Sequence, residues 1–311
     1  MNIFTEIEKI KNCDDCVLTI GSYDGLHRGH QDIIKTLTTT AAAKSKKSAL
    51  ITFDPHPRHV LDNNKKLSLI ISMKQKIFLL EKLGIDILLV IPFTKEFSHM
   101  TAENFMENVI MKYFSPSGIV IGYDHHFGYK REGSPEFLQE YANRQGINID
   151  IINAVADDKV VLSSTHIRDL ISNGFVRRAS FELGWVYGFY AKVVHGSGRG
   201  KDLEFPTANI VAIEKNQLMP KTGVYLARGR VNDDFIVGMC NFGTRPTFNE
   251  RELVMEINFF TSSLDDIYNR EIYIEFLERI RDEKKFDNPD QLVQQLHQDR
   301  KYCLELKKKY E

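Results

Sequence analysis

The chain has 311 residues, of which 42% are apolar and 27% are charged, and its formal net charge at pH 7 is −1. This length predicts two domains, because a single domain commonly spans ~100–200 residues. The composition excludes a disordered, collagen-like or disulfide-stapled chain. Neither half carries the basic excess that usually accompanies phosphate-backbone binding, so we expect no nucleic-acid partner.

The sequence predicts neither a membrane segment nor a secretory signal. The longest apolar run, Ile85–Phe93, is interrupted by Asp86 and Pro92 and is shorter than the ~18 apolar residues of a membrane span. The N-terminus mixes acidic residues and lysines where a signal peptide has an apolar core. We therefore expect a cytoplasmic protein with no membrane contact. Cys13 and Cys16 have a C-x-x-C spacing without a second close pair, and we expect exposed thiols rather than a zinc or redox site.

The first 180 residues alternate short apolar runs with helical patterns. Strands are predicted at Val17–Gly21, Ala49–Phe53, Ile85–Phe93, Ile119–Gly122 and Ile147–Val155. Helices are predicted at Gln31–Lys47, Met73–Leu83, Thr101–Phe114, Pro135–Arg144 and Ser164–Ser172. This alternation predicts a parallel sheet with helices on both faces and ligands at the carboxyl ends of the strands.

The pattern changes after residue 184, where strand-like runs follow one another with few helical stretches. The predicted strands are Tyr187–His195, Thr207–Ile213, Gly223–Val231, Phe235–Cys240, Leu253–Thr261 and Glu271–Phe276. Their regular spacing predicts a small antiparallel β-barrel, followed by a C-terminal helix from Asp290 to about Lys309. We therefore predict an α/β domain over residues 1–183 and a barrel domain over residues 184–311.

The run GSYDGLHRGH (Gly21–His30) follows a predicted strand and leads into a predicted helix. Glycines at this place let the backbone approach a ligand, and free N–H groups at a helix start favour anions. His27 and His30, spaced H-x-G-H, would face the same site as donors, which indicates phosphate binding. A zinc site and ordinary loop histidines are the alternatives, the former without a nearby third ligand.

A second run, SSTHIRDLISNG (Ser163–Gly174), puts hydroxyl groups at a helix start and Arg168 in its first turns. That arrangement can hold a triphosphate by capping N–H groups and a guanidinium. A plain capped surface helix explains the same pattern.

These two runs resemble the signatures of the nucleotidyltransferase superfamily. With TFDPHPRHVL (Thr52–Leu61) and IGYDHHFGYKREG (Ile121–Gly133), they resemble the FMN adenylyltransferase module of prokaryotic bifunctional riboflavin kinase/FMN adenylyltransferases, the FAD synthetase family. The resemblance covers nearly all of residues 15–183 and implies a Rossmann-like nucleotidyltransferase domain. It implies attack of an FMN phosphate on the α-phosphorus of ATP, which gives FAD and pyrophosphate. A phosphate is ionised at pH 7 and needs alignment and charge neutralisation rather than a base.

The resemblance also implies residue roles. His27, His30 and Arg168 would be catalytic and would stabilise charge on the ATP phosphates. The ATP site would consist of Gly21, Ser22, Tyr23, Asp24, Gly25, His27, His30, Ser164, Thr165 and Arg168. The flavin site would consist of Asp54, Pro55, His56, Asp124 and Phe127. Tyr23 stands where the family usually has phenylalanine, and His125 and His126 stand where a Phe–Arg pair is common.

The β-rich half contains a second polar constellation, VVHGSGRGKDLEFPTANI (Val193–Ile210). Its turn is rich in glycine and basic residues and can cradle phosphates. Thr207 and Asn209 are two residues apart and therefore lie on the same face of a short strand. A hydroxyl and an amide carbonyl there could share Mg²⁺, although an ordinary hairpin with a polar face is the alternative. Glu256, flanked by apolar residues, is either a structural acceptor or a general base.

The motifs GRGK, FPTAN, GVY, NFGTRPTF, MEINFF and IRDEKKF resemble the riboflavin kinase module of the same family, over about residues 187–299. The resemblance implies γ-phosphoryl transfer from ATP to the riboflavin 5′-hydroxyl, with Glu256 as the base. Thr207 and Asn209 would hold Mg²⁺. The phosphate and nucleotide contacts would come from Gly198, Arg199, Gly200, Lys201, Pro206, Thr207 and Asn209. The flavin contacts would come from Asn241, Arg245 and Glu256.

We therefore expect a bifunctional enzyme that uses Mg²⁺ with ATP, has riboflavin, FMN and FAD as substrates and products, and is a monomer or a weak homo-oligomer. Glu204 and Asn269 replace glycines that the family usually has, and Asn258 replaces a usual histidine. These departures leave open a monofunctional FMN adenylyltransferase with a degenerate flavin-binding barrel. A flavin-sensing regulator that acts on RNA is a third interpretation, which the near-neutral charge opposes.

Overall fold

A computed structural model describes residues 1–10, 13–62, 67–157, 160–195, 205–231, 234–246, 251–261 and 267–310. The chain divides into two compact units, one formed by Met1–Leu67 with Met73–Ser164, the other by Ser68–Ser72 with Thr165–Glu311. Our predicted division after residue 183 differs from this grouping in residues 68–72 and 165–183, which belong to the second unit.

The first unit is built on a six-stranded parallel sheet with the strand order β1-β4-β3-β2-β5-β6. Its strands are β1 (Asn2–Phe4), β2 (Val17–Ile20), β3 (Ser48–Asp54), β4 (Ile87–Pro92), β5 (Gly118–Gly122) and β6 (Asn148–Ile152). Two short strands, β7 (Ala156–Asp157) and β8 (Val160–Val161), pair separately. The central strands β2, β3, β4 and β5 are buried along most of their length, which explains their continuous apolar runs. The predicted parallel α/β architecture is confirmed.

The helices of the first unit are α1 (Arg28–Ala43), α2 (Pro57–Leu61), α3 (Met73–Lys82), α4 (Ala102–Phe105) and α5 (Pro135–Gln145). Two of these helices have hydroxyl side chains as N-caps, since the Thr101 and Ser134 hydroxyls accept the N–H groups of Asn104 and Phe137. The helix predicted over Thr101–Phe114 is interrupted, because α4 continues as a π-helical segment over Met106–Met111. The apolar period does not reveal this change of hydrogen-bond register.

The expectation of exposed thiols near the N-terminus is wrong. Cys13 and Cys16 are buried at 2% and 1% exposure and belong to the core that includes Phe114 and Ile119. Both act as small apolar side chains that fill space beside β2, a common use of free cysteine. Burial raises the pKa of Cys16 to about 12, so this thiol is not activated for metal or redox chemistry.

The second unit contains a closed six-stranded antiparallel barrel with the order β10-β13-β12-β11-β14-β9. The strands are β9 (Gly188–Val194), β10 (Ala208–Ala212), β11 (Gly223–Val231), β12 (Asp234–Pro246), β13 (Arg251–Phe259) and β14 (Glu271–Arg281). The barrel and its six predicted strands are confirmed. Strands β12 and β14 are longer than predicted, and the extension of β12 brings the NFGTRP motif into the sheet.

The helices of this unit are α6 (Ser164–Ser172), α7 (Val176–Leu183) and α8 (Pro289–Lys307). Helix α8 corresponds to the predicted C-terminal helix, with Pro289 at its first turn. Its Cys303 and Leu306 pack on barrel residues that include Val224 and Leu226. None of the helices within the described residues has the length and apolar character that a membrane span requires.

A buried ion pair joins α8 to the last barrel strand. The Nε of Arg281 donates to both Asp299 carboxylate oxygens at 3.0 and 2.9 Å, and its Nη2 donates at 2.7 Å. Asp299 is 3% exposed. A charge in such a place requires its partner, because the unpaired charge would lie in a low-dielectric environment.

Asp299→Ala should lower the free energy of unfolding of the second unit by about 3 kcal/mol, since it leaves Arg281 without its partner carboxylate. Urea denaturation followed by the fluorescence of Trp185, the single tryptophan of the chain, measures the loss. Glu305→Ala, on an exposed residue of the same helix, is the matched control and should change stability by less than about 0.5 kcal/mol. Equal losses in the two variants would contradict the role of the pair.

Candidate active sites

A cavity of about 790 Å³ opens at the carboxyl ends of the parallel strands. Ile20 and Gly21 line it at the end of β2, and Gly122 lines it at the end of β5. Strands β3 and β5 flank β2 on opposite sides, so the chain reverses its winding direction here. Open α/β sheets bind ligands at such a switch point.

The turn between β2 and α1 has an unusual backbone. Tyr23 has φ 47° and Gly25 has φ 90°, both in the left-handed region. Glycine reaches this region freely, whereas a tyrosine does so at a cost that surrounding contacts must offset. The Tyr23 ring is 3% exposed, and its hydroxyl lies 2.5 Å from Thr19 Oγ1. Thr19 in turn donates to the Val120 carbonyl at 2.6 Å, so the turn is anchored to both central strands.

The two histidines of the H-x-G-H motif form a stack. Their ring centroids are 3.7 Å apart with an interplanar angle of 21°, and the edge of Tyr23 meets the His30 ring at 5.1 Å. His27 caps α1, because its Nδ1 accepts the His30 backbone N–H at 3.4 Å. The ring is then a neutral acceptor at Nδ1, and its Nε2 carries the proton. Both rings line the cavity.

Burial controls the protonation of this pair. It lowers the pKa of His27 to about 4, and together with His27 and Lys76 it holds the pKa of His30 well below its usual value. Both imidazoles are therefore neutral donors at pH 7 before a ligand arrives. A bound polyphosphate would favour their charged forms, because an adjacent opposite charge raises the pKa of a histidine.

The expected flavin side of the cavity carries histidine in place of the family's usual Phe–Arg pair. His125 stacks on Phe127 with centroids 5.7 Å apart, and its Nε2 is buried without a hydrogen-bond partner. Burial lowers the pKa of His125 to about 4. The ring thus supplies the flat face that a phenylalanine would supply. His126 is exposed and lines the same cavity.

The cavity brings together most of the candidates of the first unit: Gly21, Ser22, Tyr23, His27, His30, His56, Asp124, Phe127 and Ser164. Asp24, Gly25, Asp54 and Pro55 do not line it. Asp24 is 2% exposed, and its carbonyl accepts the Ser164 hydroxyl at 2.8 Å. Thr165 and Arg168 belong to the second unit, where Arg168 Nε donates to the Ser68 carbonyl at 2.9 Å.

Sequence reasoning missed two parts of this site. One is an aromatic wall, formed by Phe53, Phe93, Phe97 and Phe105 beside Phe127. The sequence feature that could have revealed this wall is the position of Phe53 and Phe93 at the ends of predicted strands. The other is Lys76, 5% exposed beneath the glycine turn. The sequence feature that could have revealed Lys76 is its position four residues before Leu80, on the apolar face of α3.

The barrel aligns three polar candidates on neighbouring strands. In the strand register Asn209 of β10 faces Glu256 of β13, and Glu256 faces Asn241 of β12. The same row continues to Val224, which packs on the α8 cluster outside the barrel. Residues directly opposite each other share a face, so Glu256 lies between two amides on the outer face. Asn209 is 9% exposed and Glu256 is half-buried.

Asn258 lies two residues beyond Glu256, on the same face of β13, and is 5% exposed. Its Nδ2 donates to the Pro206 carbonyl at 2.7 Å. The amide thus holds the segment that leads from Phe205 to Thr207. Thr207 is half-buried and Pro206 is exposed. The asparagine that replaces a usual histidine therefore keeps a donor in contact with this segment.

The seven remaining candidates and departures of the second unit fall into three groups. Gly198, Arg199, Gly200, Lys201 and Glu204 lie outside the described residues. Arg245 is on β12, opposite Glu252 of β13. Asn269 has φ 62°, a left-handed conformation that asparagine tolerates, which explains how it stands where the family usually has glycine.

Comparisons with known proteins bear on both units. A family model described as FAD synthetase matches residues 9–166, and a model described as riboflavin kinase matches residues 183–307. A bifunctional riboflavin kinase/FMN adenylyltransferase of Listeria monocytogenes is 35% identical over 285 residues, which cover 91% of this chain and 90% of the relative. The chain belongs to the bifunctional riboflavin kinase/FMN adenylyltransferase family.

Two other matches also cover more than nine tenths of the chain. The Bacillus subtilis member is 32% identical over 93% of this chain and 91% of its own. A crystal structure from Streptococcus pneumoniae, described as a macrolide-efflux protein, has a TM-score of 0.88 at 30% identity and covers 97% of both chains. Both enzyme domains of the family are present, so the predicted role in FAD biosynthesis is confirmed. No comparison supports the monofunctional alternative.

The buried histidines of this family member should make its first unit sensitive to acid. A histidine whose pKa is lowered by folding takes up its proton more readily in the unfolded chain, so stability falls as pH drops from about 6.5 towards 4. We expect the free energy of unfolding, measured by urea denaturation followed by circular dichroism, to decrease over this window. His125→Phe should make the decrease shallower, whereas His126→Phe, on the exposed neighbour, should not. Identical pH slopes for the three proteins would contradict this assignment.

Asn258→Ala should impair the kinase reaction, because the Pro206 carbonyl loses its donor and the segment before Thr207 loses its anchor. We expect kcat/KM for riboflavin phosphorylation to fall about tenfold, the equivalent of one lost buried hydrogen bond. Asn258→Asp, which keeps the shape but offers no N–H, should behave alike, whereas Asn258→His should retain most activity. FMN adenylylation is the internal control and should not change. Wild-type kinase rates in the Ala and Asp variants would remove this role from Asn258.

Proposed function

We propose that the cavity of the first unit is the site where FMN is adenylylated, and that the polar row on the barrel is the site where riboflavin is phosphorylated. The observation that carries the first assignment is the stacked His27–His30 pair at the open end of the glycine turn. The one that carries the second is the alignment of Asn209, Glu256 and Asn241 across three strands.

In the first reaction an FMN phosphate oxygen attacks the α-phosphorus of ATP, and pyrophosphate leaves. The nucleophile is already ionised, so the site has to align two anions and neutralise their charge. His27, His30 and Ser164 would donate to the ATP phosphates, and Arg168 and Thr165 are the further phosphate-binding candidates that the family resemblance implies. The aromatic wall and Phe127 offer flat apolar faces that suit an isoalloxazine ring. Asp54, Pro55, His56 and Asp124 are the remaining flavin-side candidates.

In the second reaction the riboflavin 5′-hydroxyl attacks the γ-phosphorus of ATP, and ADP leaves. A hydroxyl is a neutral nucleophile and gains from a base that takes its proton. Glu256 is that base in our proposal, and Asn241 and Arg245 contact the flavin. Asn209 and Asn241 flank Glu256 on the neighbouring strands.

Mg²⁺ fits the donor set of the barrel site. Among the described residues no group of three or more His, Cys, Asp or Glu side chains could hold a metal by itself. Thr207 and Asn209 offer hydroxyl and amide oxygens, and Mg²⁺ is commonly held by few protein oxygens together with substrate phosphates. These two residues would hold the ion, and the ion would neutralise phosphate charge.

The remaining assignments are also proposals. We assign FMN adenylyltransferase activity to residues 1–183 and riboflavin kinase activity to residues 184–311. The protein acts in the cytoplasm on small molecules, as a monomer or a weak homo-oligomer, without a nucleic-acid partner. A salt-sensitive RNA mobility shift would overturn the last point.

Incubating the protein with ATP and either riboflavin or FMN tests both assignments. Chromatography over time should show FMN and then FAD from riboflavin, and no product after EDTA. His27→Ala should reduce FAD formation by about 100-fold or more and leave FMN formation intact, because it removes a donor to the ATP phosphates. Glu256→Ala should abolish FMN formation and leave adenylylation of added FMN intact.

Each outcome separates the proposals. FAD from FMN with riboflavin untouched would reduce the barrel to a flavin-binding module and point to Glu204 and Asn258 as the first residues to revert. Loss of both activities in either single variant would contradict the assignment of one reaction to residues 1–183 and the other to residues 184–311.

A further inference from the structure

Lys76 occupies an unusual position for a lysine. It lies on α3 at 5% exposure, and its Nζ donates to the Ser22 carbonyl at 2.7 Å and approaches Thr52 Oγ1 at 3.5 Å. Thr52 Oγ1 donates to the same carbonyl at 3.2 Å. The Ser22 carbonyl therefore accepts two hydrogen bonds from beneath the glycine turn. Ser22 lines the cavity, whereas Lys76 and Thr52 do not.

Anchoring this carbonyl orients the peptide that precedes Tyr23. In a planar trans peptide the C=O and the following N–H point in opposite directions. With the Ser22 carbonyl turned towards Lys76, the Tyr23 N–H turns the other way. The same peptide plane sets the left-handed φ of 47° at Tyr23, a conformation that surrounding contacts must hold in place.

The Tyr23 ring carries this constraint to the histidine pair. Its edge meets the His30 ring at 5.1 Å, and the His30 ring stacks on His27 at 3.7 Å. A chain of direct contacts thus leads from the Lys76 ammonium through the Ser22 carbonyl and Tyr23 to both imidazoles.

Stability alone does not explain a lysine in this position. Burial lowers the pKa of Lys76, and the carboxylates of Asp24 and Asp54 oppose that shift. Burying an ammonium group carries a desolvation cost that hydrogen bonds and nearby carboxylates offset only in part. The Ser22 carbonyl already has a neutral donor in Thr52, so satisfying it does not require a charge. A cation directly under a turn that binds polyphosphate, in contrast, is attracted electrostatically to every anion that binds above it.

We infer that Lys76 is a positioning residue for adenylyl transfer, which keeps the Ser22 carbonyl away from the ATP phosphates and holds Tyr23, and with it His30 and His27, in the geometry that receives them. This inference rests on the proposed adenylylation of FMN in the first unit. It concerns a residue that contacts the turn rather than the substrates.

The test compares Lys76→Met, which keeps the length and removes the charge and donor, with Lys76→Arg, which restores both. Lys82→Met on the same helix is the matched control, because Lys82 is exposed and its Nζ lies over the Phe78 ring. Steady-state FMN adenylylation gives kcat and the KM values for ATP and FMN. Riboflavin phosphorylation by the same samples is the internal control, and the melting temperature reports folding.

For Lys76→Met we expect kcat to fall and KM for ATP to rise, together lowering kcat/KM for ATP about 100-fold, as a small misplacement of a reacting group can do. KM for FMN should stay within about threefold of its starting value. Thr52→Val, which removes the neutral donor, should lower kcat/KM for ATP less than Lys76→Met does. Lys76→Arg should have a kcat/KM for ATP of at least a tenth of the wild-type value, and Lys82→Met should have the wild-type value.

A purely structural role predicts another pattern. A partly unfolded population would lower apparent kcat and leave both KM values alone, and that result in Lys76→Met would overturn the inference. Wild-type kinetics in Lys76→Met would overturn it too. If the unchanged protein makes no FAD from FMN, the proposed function fails instead, and the two failures are therefore distinguishable.

Discussion

The proposed adenylylation site depends on one short turn that leaves β2 at the switch point of the sheet. Its backbone takes left-handed conformations at Tyr23, Gly25 and Leu26, and contacts from below hold Tyr23 in a conformation that costs energy for a residue with a side chain. Those contacts come from Thr19, itself bonded to the Val120 carbonyl, and from the donors to the Ser22 carbonyl. The conformation of this turn determines where the rings of His27 and His30 lie, because Tyr23 contacts His30 and His30 stacks on His27.

The proposed phosphorylation site depends on a different constraint, the closure of the barrel. A closed antiparallel sheet has no edge at which strands can slip, so the register of each pair is determined by its neighbours. Closure places Glu256 between Asn209 and Asn241, although 47 and 15 residues of chain separate them. A slip of one residue would move the carboxylate to the interior row that holds Cys240 and Ile257, both fully buried.

The two sites differ as their nucleophiles differ. A phosphate nucleophile needs donors and charge neutralisation, and the first unit presents buried imidazoles that are neutral until anions arrive. A hydroxyl nucleophile needs a proton acceptor, and the barrel presents one carboxylate among amides. In our proposal the two steps use separate residues, and each unit has its own hydrophobic core.

Much of this protein is determined by the sequence alone. The glycine turn with H-x-G-H, the strand and helix alternation before residue 184 and the regular strands after it predicted the architecture, because these signals are local and repeat with the period of each element. The structure decided what depends on distant packing. Cys13 and Cys16 are buried because a core that includes Phe114 and Ile119 covers them, and Lys76 lies beneath a turn more than 50 residues away in sequence. The low pKa of His27, the Asn209–Glu256–Asn241 row and the contact of Asn258 with Pro206 likewise exist only once residues far apart in the chain are packed together.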